Sequence, residues 1–350
     1  MLRLIDANVD RLGEGLRVLE DVARFLLDDA VLSRRLKTLR HKLRRDVRPL
    51  EQQLLASRRV KEDVGAFVKP PGEAKHEDLP ALVKANASRV QESLRVLEEF
   101  ARLADTPLRT KAAEFERCRF EVYDLEQELV ARLVRREKTS LLTGLYLILD
   151  DGSLGGRDAV GVAAEALRGG ARAVQWRGKQ RSRAELLKIA RKLKRVCDEG
   201  KALFIVSGYL DLALAAEADG LHLDQDDLPV PEARRLLPMD KLIGCSVTTL
   251  SQARRAESQG ADYIVVGPIY PTLSRGKSRP VGVDRLRRIK AAVSLPVIAS
   301  GGIDRSNIEE VLETGADSVA VVGTDLGAED IEEASRGLAD RLEQLSLREA

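Results

Sequence analysis

Eight short aliphatic or β-branched runs punctuate the second half of this chain, and a helix-like stretch follows each of them. They are Leu145 to Leu149, Ala173 to Trp176, Leu203 to Val206, Gly220 to Leu223, Leu242 to Val247, Tyr263 to Val266, Pro296 to Ala299 and Val319 to Val322. Amphipathic segments such as Arg183 to Cys197 and Leu250 to Ser258 lie between them, so the apolar period switches from strand-like to helix-like and back. Strands that alternate with helices imply a parallel sheet, and about 200 residues suit one closed (β/α)8 barrel. The expectation is an α/β TIM barrel over 141–350, preceded by an all-α helical-bundle domain over 1–140.

The leading part carries an internal repeat. Ile5 to Phe25, IDANVDRLGEGLRVLEDVARF, returns as Val83 to Leu103, VKANASRVQESLRVLEEFARL. Two copies of one unit bury each other's apolar faces. Leu16, Val18, Leu19 and Val22, with their mates Leu94, Val96, Leu97 and Phe100, fall at helical spacing, and a second helix ending in Leu-Glu-Gln is expected after each copy (Leu50-Glu51-Gln52, Leu125-Glu126-Gln127). The expected product is a small bundle with pseudo-twofold symmetry. Polar residues repeat too: Asn8 with Asn86, Arg11 with Arg89, Glu14 with Glu92, Arg17 with Arg95, Glu20 with Glu98. Capping by Asn8 and an i,i+3 pair between Arg11 and Glu14 account for much of this; a polar site or interface built from both copies is the alternative. Ser57 to Pro80, with Gly65, Pro70-Pro71-Gly72 and Pro80, reads as a loop. Arg136 to Thr143 is the candidate domain boundary.

Charge and cysteine content exclude several classes. Lys plus Arg number 58 against 56 Asp plus Glu, a net charge of +2, which makes no electrostatic case for a nucleic-acid or membrane partner. Arg44-Arg45 and Arg135-Arg136 read as solvated helix faces. The three cysteines, Cys118, Cys197 and Cys245, form no CxxC, which argues against a disulfide framework and a zinc site and fits a reducing cytoplasm. Neither an export signal nor a spanning segment is evident, so a cytoplasmic protein is expected, with a symmetric homo-oligomer as the base-rate assembly.

Barrel enzymes place their sites on the loops after the strands, often with a phosphate site after the seventh and eighth. Ser300-Gly301-Gly302-Ile303 and Gly323-Thr324 follow those strands here, where backbone amides can approach a phosphate. Gln175, Arg177 and Lys179 alternate after the second strand, a donor set suited to an anion. His222-Leu223-Asp224-Gln225-Asp226-Asp227 follows the fourth, where carboxylates suit a magnesium ion bridging to phosphates or, alternatively, cap the next helix. Ser246 ends the fifth strand, and Gly267 to Arg275 after the sixth leads from an apolar turn to hydroxyls and a cation.

In this order, QWRGK, HLDQDD, GCSV, GPIYPT, IASGGI and AVVG resemble the thiamine-phosphate synthases over Gly144 to about Leu345. The resemblance implies a transferase that joins a hydroxymethylpyrimidine diphosphate to a thiazole phosphate through a magnesium-assisted, dissociative step: diphosphate departs, a pyrimidine-methyl cation forms, and the thiazole nitrogen attacks it. It implies that Gln175, Arg177 and Lys179 hold the diphosphate and pyrimidine side, with Ser207 and Ser246 nearby. Asp227, and with it Asp226, would bind magnesium. Thr272, Ser274, Arg275, Gly302, Val322 and Gly323 would hold the thiazole phosphate, and Lys179, Arg177, Arg275 and Ser246 would serve catalysis. The duplicated bundle resembles a domain fused ahead of such synthases, described as related to an alternative hydroxymethylpyrimidine-phosphate kinase. Two departures stand out: Ser207-Gly208 occupies the place of the family Asn-Asp, whose Asp is a magnesium ligand, and Arg275 replaces a lysine, with Lys277 close by. Thiazole tautomerases share the fold but place a histidine where Thr248 stands here. A barrel that only binds thiamine precursors, or scaffolds the bundle, is the third reading.

Overall fold

The computed structural model describes residues 1–58, 76–152, 154–178, 181–272, 279–322 and 330–349, with side chains as far as Gln344. Most of the loop expected from Ser57 to Pro80 lies outside the described residues. The chain divides into two compact units, Met1–Val134 and Arg135–Ala350.

In the first unit α1 (Leu2–Asp21), α2 (Ala30–Val47) and α3 (Glu51–Ala56) are followed by α4 (Leu79–Ala101) and α5 (Ala112–Ser140). Asp29 and Asp78 cap α2 and α4, each accepting from backbone N–H groups of the first turn. The repeated apolar stripes face one core: Ile5, Leu12, Leu16 and Leu19 of α1 match Val83, Val90, Leu94 and Leu97 of α4, all at most 2% exposed. Gly15 permits the close approach of these helices, since a Cβ there would stand 2.6 Å from Val90 Cγ2 and 3.0 Å from Asn86 O.

The repeated acids are internal. Glu20 is 3% exposed and meets Arg40 of α2 at 2.8 Å; Glu98 is fully buried and meets Arg119 of α5 at 3.2 Å, with Arg95 and Arg102 closing on its other oxygen. Arg40 and Arg119 therefore occupy equivalent places, and Leu36, Leu39 and Leu43 correspond to Phe115, Cys118 and Val122. This register overturns the Leu-Glu-Gln match, because core residue Leu54 of α3 pairs with Leu133 and α5 runs on to Ser140. The capping role expected of Asn8 also fails: it lies inside α1 and donates its Nδ2 to Leu4 O at 2.8 Å, as Asn86 does to Leu82 O at 2.9 Å. Arg11 and Glu14 form no ion pair among the described residues; with Asn8, Arg89, Glu92 and Ser93 they line a cavity of about 510 Å³.

The second unit is a closed barrel of parallel strands in chain order: β1 (Leu145–Asp150), β2 (Ala171–Arg177), β3 (Leu203–Ser207), β4 (Gly220–Leu223), β5 (Leu242–Val247), β6 (Tyr263–Val266), β7 (Val297–Ser300) and β8 (Ser318–Val322). Around it run α6 (Ala159–Arg168), α7 (Arg183–Glu199), α8 (Leu210–Ala215), α9 (Val230–Leu236), α10 (Leu250–Ser258), α11 (Val283–Lys290), α12 (Ile308–Leu312) and α13 (Ile331–Glu349). Capping boxes start α7 (Ser182 with Glu185) and α10 (Thr249 with Gln252), and α7 buries Leu186, Ala190, Leu193 and Cys197 along one stripe.

Period-two alternation divides the strand residues between two cores. Leu145, Leu147, Leu149, Val174, Phe204 and Ile264 face the helices. Tyr146, Ile148, Ala173, Leu203, Ile205, Tyr263, Val265 and Ile298 fill the barrel interior. Gly244 makes room for the Tyr263 ring, since a Cβ there would lie 2.1 Å from Tyr263 Cζ. Continued toward the C-terminal ends, the same inward stripes deliver Asp150, Gln175, Arg177, Ser207, His222, Ser246 and Ser300 to one mouth.

Candidate active site

Asp150 and Arg177 are register partners at the ends of β1 and β2. The Arg177 guanidinium donates through Nη2 to Asp224 Oδ2 at 2.9 Å and holds Nη1 3.8 Å from Asp150 Oδ2. Its side chain is 13% exposed and the two carboxylates 26% and 29%, so the cation is fixed at the rim while remaining open to solvent on one side. Arg177 thus stands where its alternation with Gln175 places it. Asp224 is a residue that sequence reasoning left without a role; its signal was that it lies two positions beyond His222, on the same inward stripe.

Below this rim the interior is polar and connected. Tyr146 Oη donates to Gln175 Oε1 at 2.9 Å and lies 3.1 Å from Tyr263 Oη. His222 Nε2 is 2.9 Å from Ser246 Oγ, and the His222 ring stands 5.9 Å from that of Tyr263. All of these side chains are at most 5% exposed. Burial drives both tyrosine hydroxyls well above their usual pKa, Tyr146 being partly relieved by its hydrogen bond to Tyr263. They therefore act as neutral hydroxyls. Because Gln175 accepts from Tyr146 through Oε1, its amide nitrogen is the end left for a ligand acceptor. Neither tyrosine was singled out from the sequence, although both sit on inward positions of apolar runs. Cys245, between the inward residues of β5, faces the helices, and burial pushes its thiol up to about 12.

Asp227 turns back over β3. Its Oδ2 accepts from Asp224 N at 2.7 Å, and a Cβ built on Gly208 would lie 3.1 Å and 3.3 Å from its two oxygens. A carboxylate therefore overhangs Gly208, in the place where the resemblance leads one to expect a second. Oδ1 accepts no hydrogen bond among the described residues. Asp227 closes its own turn rather than capping α9, whose N-cap is Pro229. Asp226 is exposed on that turn and makes no bond among the described residues. Gln225 Nε2 donates to Ser246 O at 2.6 Å, tying the loop after β4 to β5. Ser207 is buried at the end of β3 as the register partner of His222.

On the other side of the mouth the loops after β6 and β7 are joined. Ile269 N donates to Ser300 O at 2.9 Å and Tyr270 N to Gly301 O at 3.1 Å, while Asn307 Nδ2 donates to Gly302 O at 2.8 Å. Gly301 and Gly302 have φ values of 92° and 68°, and a Cβ on Gly302 would meet Pro271 O at 2.8 Å, so only glycine fits. The Gly302 N–H donates to no group among the described residues. Tyr270 donates Oη to Glu310 Oε2 at 2.6 Å; burial, and then this carboxylate, push its hydroxyl up to about 12. Thr272 follows that turn, and Val322 is buried at the end of β8. Lys179, Ser274, Arg275, Lys277 and Gly323 lie outside the described residues. Thr248 donates both its N–H and Oγ1 to Gln252 Oε1 at 2.8 Å and 3.0 Å, so the place of the tautomerase histidine belongs to the start of α10.

Residues 145–324 match the family model described as thiamine monophosphate synthase, and residues 3–128 match the ThiD2 family. The thiamine-phosphate synthase of Thermosynechococcus vestitus is 40% identical over 343 residues, covering 98% of this chain and 95% of that protein. The protein of the same name from Synechococcus sp. strain CC9311 is 42% identical, with 97% and 96% covered. Among solved structures, thiamine phosphate pyrophosphorylase from Pyrococcus furiosus is 38% identical with a TM-score of 0.55, covering 59% of this chain and 98% of its own. Similarity that spans both units at this level, together with the barrel's site geometry, places the chain in the thiamine-phosphate synthase family.

Proposed function

We propose that the barrel condenses a hydroxymethylpyrimidine diphosphate with a thiazole phosphate, releasing diphosphate and giving thiamine phosphate. The observation that carries this reading is Arg177, clamped by Asp224 and Asp150 at the rim above a buried Gln175, with a glycine loop built for a phosphate in the adjoining loops. Arg177 offers a preoriented cation to charge that grows on departing diphosphate, which lowers the barrier because no reorganisation is needed at the moment of bond breaking. Gln175 presents its amide to the ring, and Thr272 with the Gly302 N–H holds the second phosphate, so the two substrates meet in fixed orientation.

Asp227 fits a magnesium ion. The described residues hold no group of three or more acidic, histidine or cysteine side chains placed for a metal, but magnesium is usually held by one or two carboxylates together with substrate phosphates. Asp227 has a free Oδ1 for this, and Asp150 and Asp224 supply negative charge nearby. A magnesium ion bound there would neutralise the diphosphate and favour its departure. Proton-transfer chemistry of the tautomerase kind lacks its usual base, because Thr248 stands in its place and donates to Gln252 Oε1. No helix among the described residues is long and apolar enough to cross a membrane.

The test is thiamine phosphate formation by the purified full chain from the two phosphorylated precursors, with magnesium and with a chelator. Magnesium-dependent product is expected. No product under either condition, from folded protein that still binds the thiazole phosphate, would leave a barrel that binds without catalysing.

A further inference from the structure

Arg177 faces the barrel mouth with a carboxylate already on it. Asp224 Oδ2 accepts from Arg177 Nη2 at 2.9 Å, and Asp150 Oδ2 stands 3.8 Å from Nη1. Arg177 Nε is buried without a hydrogen-bond partner among the described residues, so the two terminal nitrogens are the donors that an anion reaches from solvent. Phosphate and carboxylate oxygens compete for the same planar fork of a guanidinium, and an arriving phosphate must therefore displace Asp224 from Nη2.

The Asp224 side chain is not what holds its own turn. The main chain does that, since Asp224 N donates to Asp227 Oδ2 at 2.7 Å and Asp227 N donates to Asp224 O at 3.1 Å. Nor is it needed to aim Arg177 alone, because Asp150, the register partner of Arg177, faces the guanidinium from β1. What the Asp224 carboxylate adds is negative charge on the cation that a diphosphate would use, with Asp227 on the same turn adding more, and like charge in a partly buried mouth repels a bare anion. The same turn lies where the mouth is one carboxylate short. Gly208 has no side chain, and a Cβ built on it would stand 3.1 Å and 3.3 Å from the Asp227 oxygens.

On the synthase reading, which makes the mouth a diphosphate site, we propose that Asp224 is the specificity residue that admits diphosphate only together with its divalent cation. On binding it exchanges Arg177 for the cation and leaves Nη2 to the diphosphate. Bare diphosphate meets a masked arginine and uncompensated carboxylates. With the cation present, Asp224 and Asp227 lend their charge from one turn, and Asp224 stands in for the acid that Gly208 lacks.

The test is calorimetry of inorganic diphosphate on the full chain, in magnesium and in chelator, with the heat lost in Arg177→Ala taken as the mouth's share. Wild type should bind about tenfold or more tightly with magnesium, the worth of one compensated charge. Asp224→Asn should tighten the affinity in chelator about tenfold, because one charge-assisted bond no longer has to be broken, and should narrow the gain from magnesium. An acid that merely oriented Arg177 gives the opposite sign, weaker binding in both conditions. Asp224→Ser, which keeps the main-chain bonds of the turn, should behave as Asp224→Asn does and guards against a local effect of the amide. Unchanged or weaker affinity in chelator for both variants would overturn the role of Asp224, and thiamine phosphate formation by wild type would leave the synthase reading standing. No Arg177-dependent heat from wild type in either condition would overturn both.

Discussion

The two units use buried polar side chains in opposite ways. In the helical unit Glu20 and Glu98 are consumed internally, each by arginines of its own copy, and nothing of them is left for a ligand. In the barrel, buried Gln175 and the partly exposed Asp227 and Arg177 end in open functions: the Gln175 amide nitrogen, the free oxygen of Asp227, the solvent-facing side of Arg177. The difference follows from geometry. A helix pair surrounds a residue with neighbours on all sides, whereas inward strand positions converge on an axis that opens at one end. A polar residue repeated in both copies can therefore report on folding, while polar residues gathered from separate strands report on chemistry.

The sharpest way to break this comparison is Glu98→Ala. It should cost about 3 kcal/mol by leaving Arg119, 13% exposed, without the buried carboxylate that it shares with half-exposed Arg95 and Arg102, read by denaturant unfolding, while turnover per folded molecule stays unchanged. A loss under 1 kcal/mol with falling turnover would make Glu98 a site residue. Arg177→Ala should do the reverse, lowering thiamine phosphate formation about 100- to 1000-fold with little effect on the unfolding midpoint; near-normal rates would remove it from the site.

Alkaline pH should weigh next on the barrel, with its two raised thiols, more than on the helical unit, where burial raises Cys118 alone among the described cysteines. Burial raises Cys197 and Cys245 from 9.0 to about 12. These thiols stay protonated in the folded barrel while the unfolded chain releases their protons above 9.0. The stabilisation is complete below that pH and falls by about 1.4 kcal/mol per pH unit for each thiol up to the folded value. Fluorescence of buried Trp176 followed from pH 8 to 11 should show it, and the double variant Cys197→Ala with Cys245→Ala should flatten the slope. An equal slope in that variant would assign the alkaline loss elsewhere. The smallest effect is expected at Gly208→Ala, about 1–2 kcal/mol, because Gly208 has a φ of 73° and faces the Asp227 carboxylate. A neutral result in thermal unfolding would show that the turn relaxes.

The barrel was legible because its strands repeat one physical requirement, a residue run apolar on both faces, and the proposed site residues Gln175, Arg177, Ser246, Asp227 and Gly302 fall at or just beyond strand ends, where barrels bind ligands. Asp224, Tyr146 and Tyr263 were harder to see. An aspartate in an acidic turn and a tyrosine in an apolar strand look ordinary until the closure of the barrel brings Arg177 to the first and Gln175 to the second. The Leu-Glu-Gln match failed for a related reason: local identity of three residues carried less weight than the pairing of Arg40 and Arg119 with distant glutamates.

Composition, periodicity and the internal repeat by themselves determined the two kinds of architecture and the loops that would carry chemistry, since the alternation of side chains is a local property of the backbone. Only the tertiary structure decided which charges neutralise one another and which remain available. Asp227 overhangs Gly208, Glu98 disappears among three arginines, and Arg177 is held by Asp224, because charge pairing depends on distances between segments far apart in the chain.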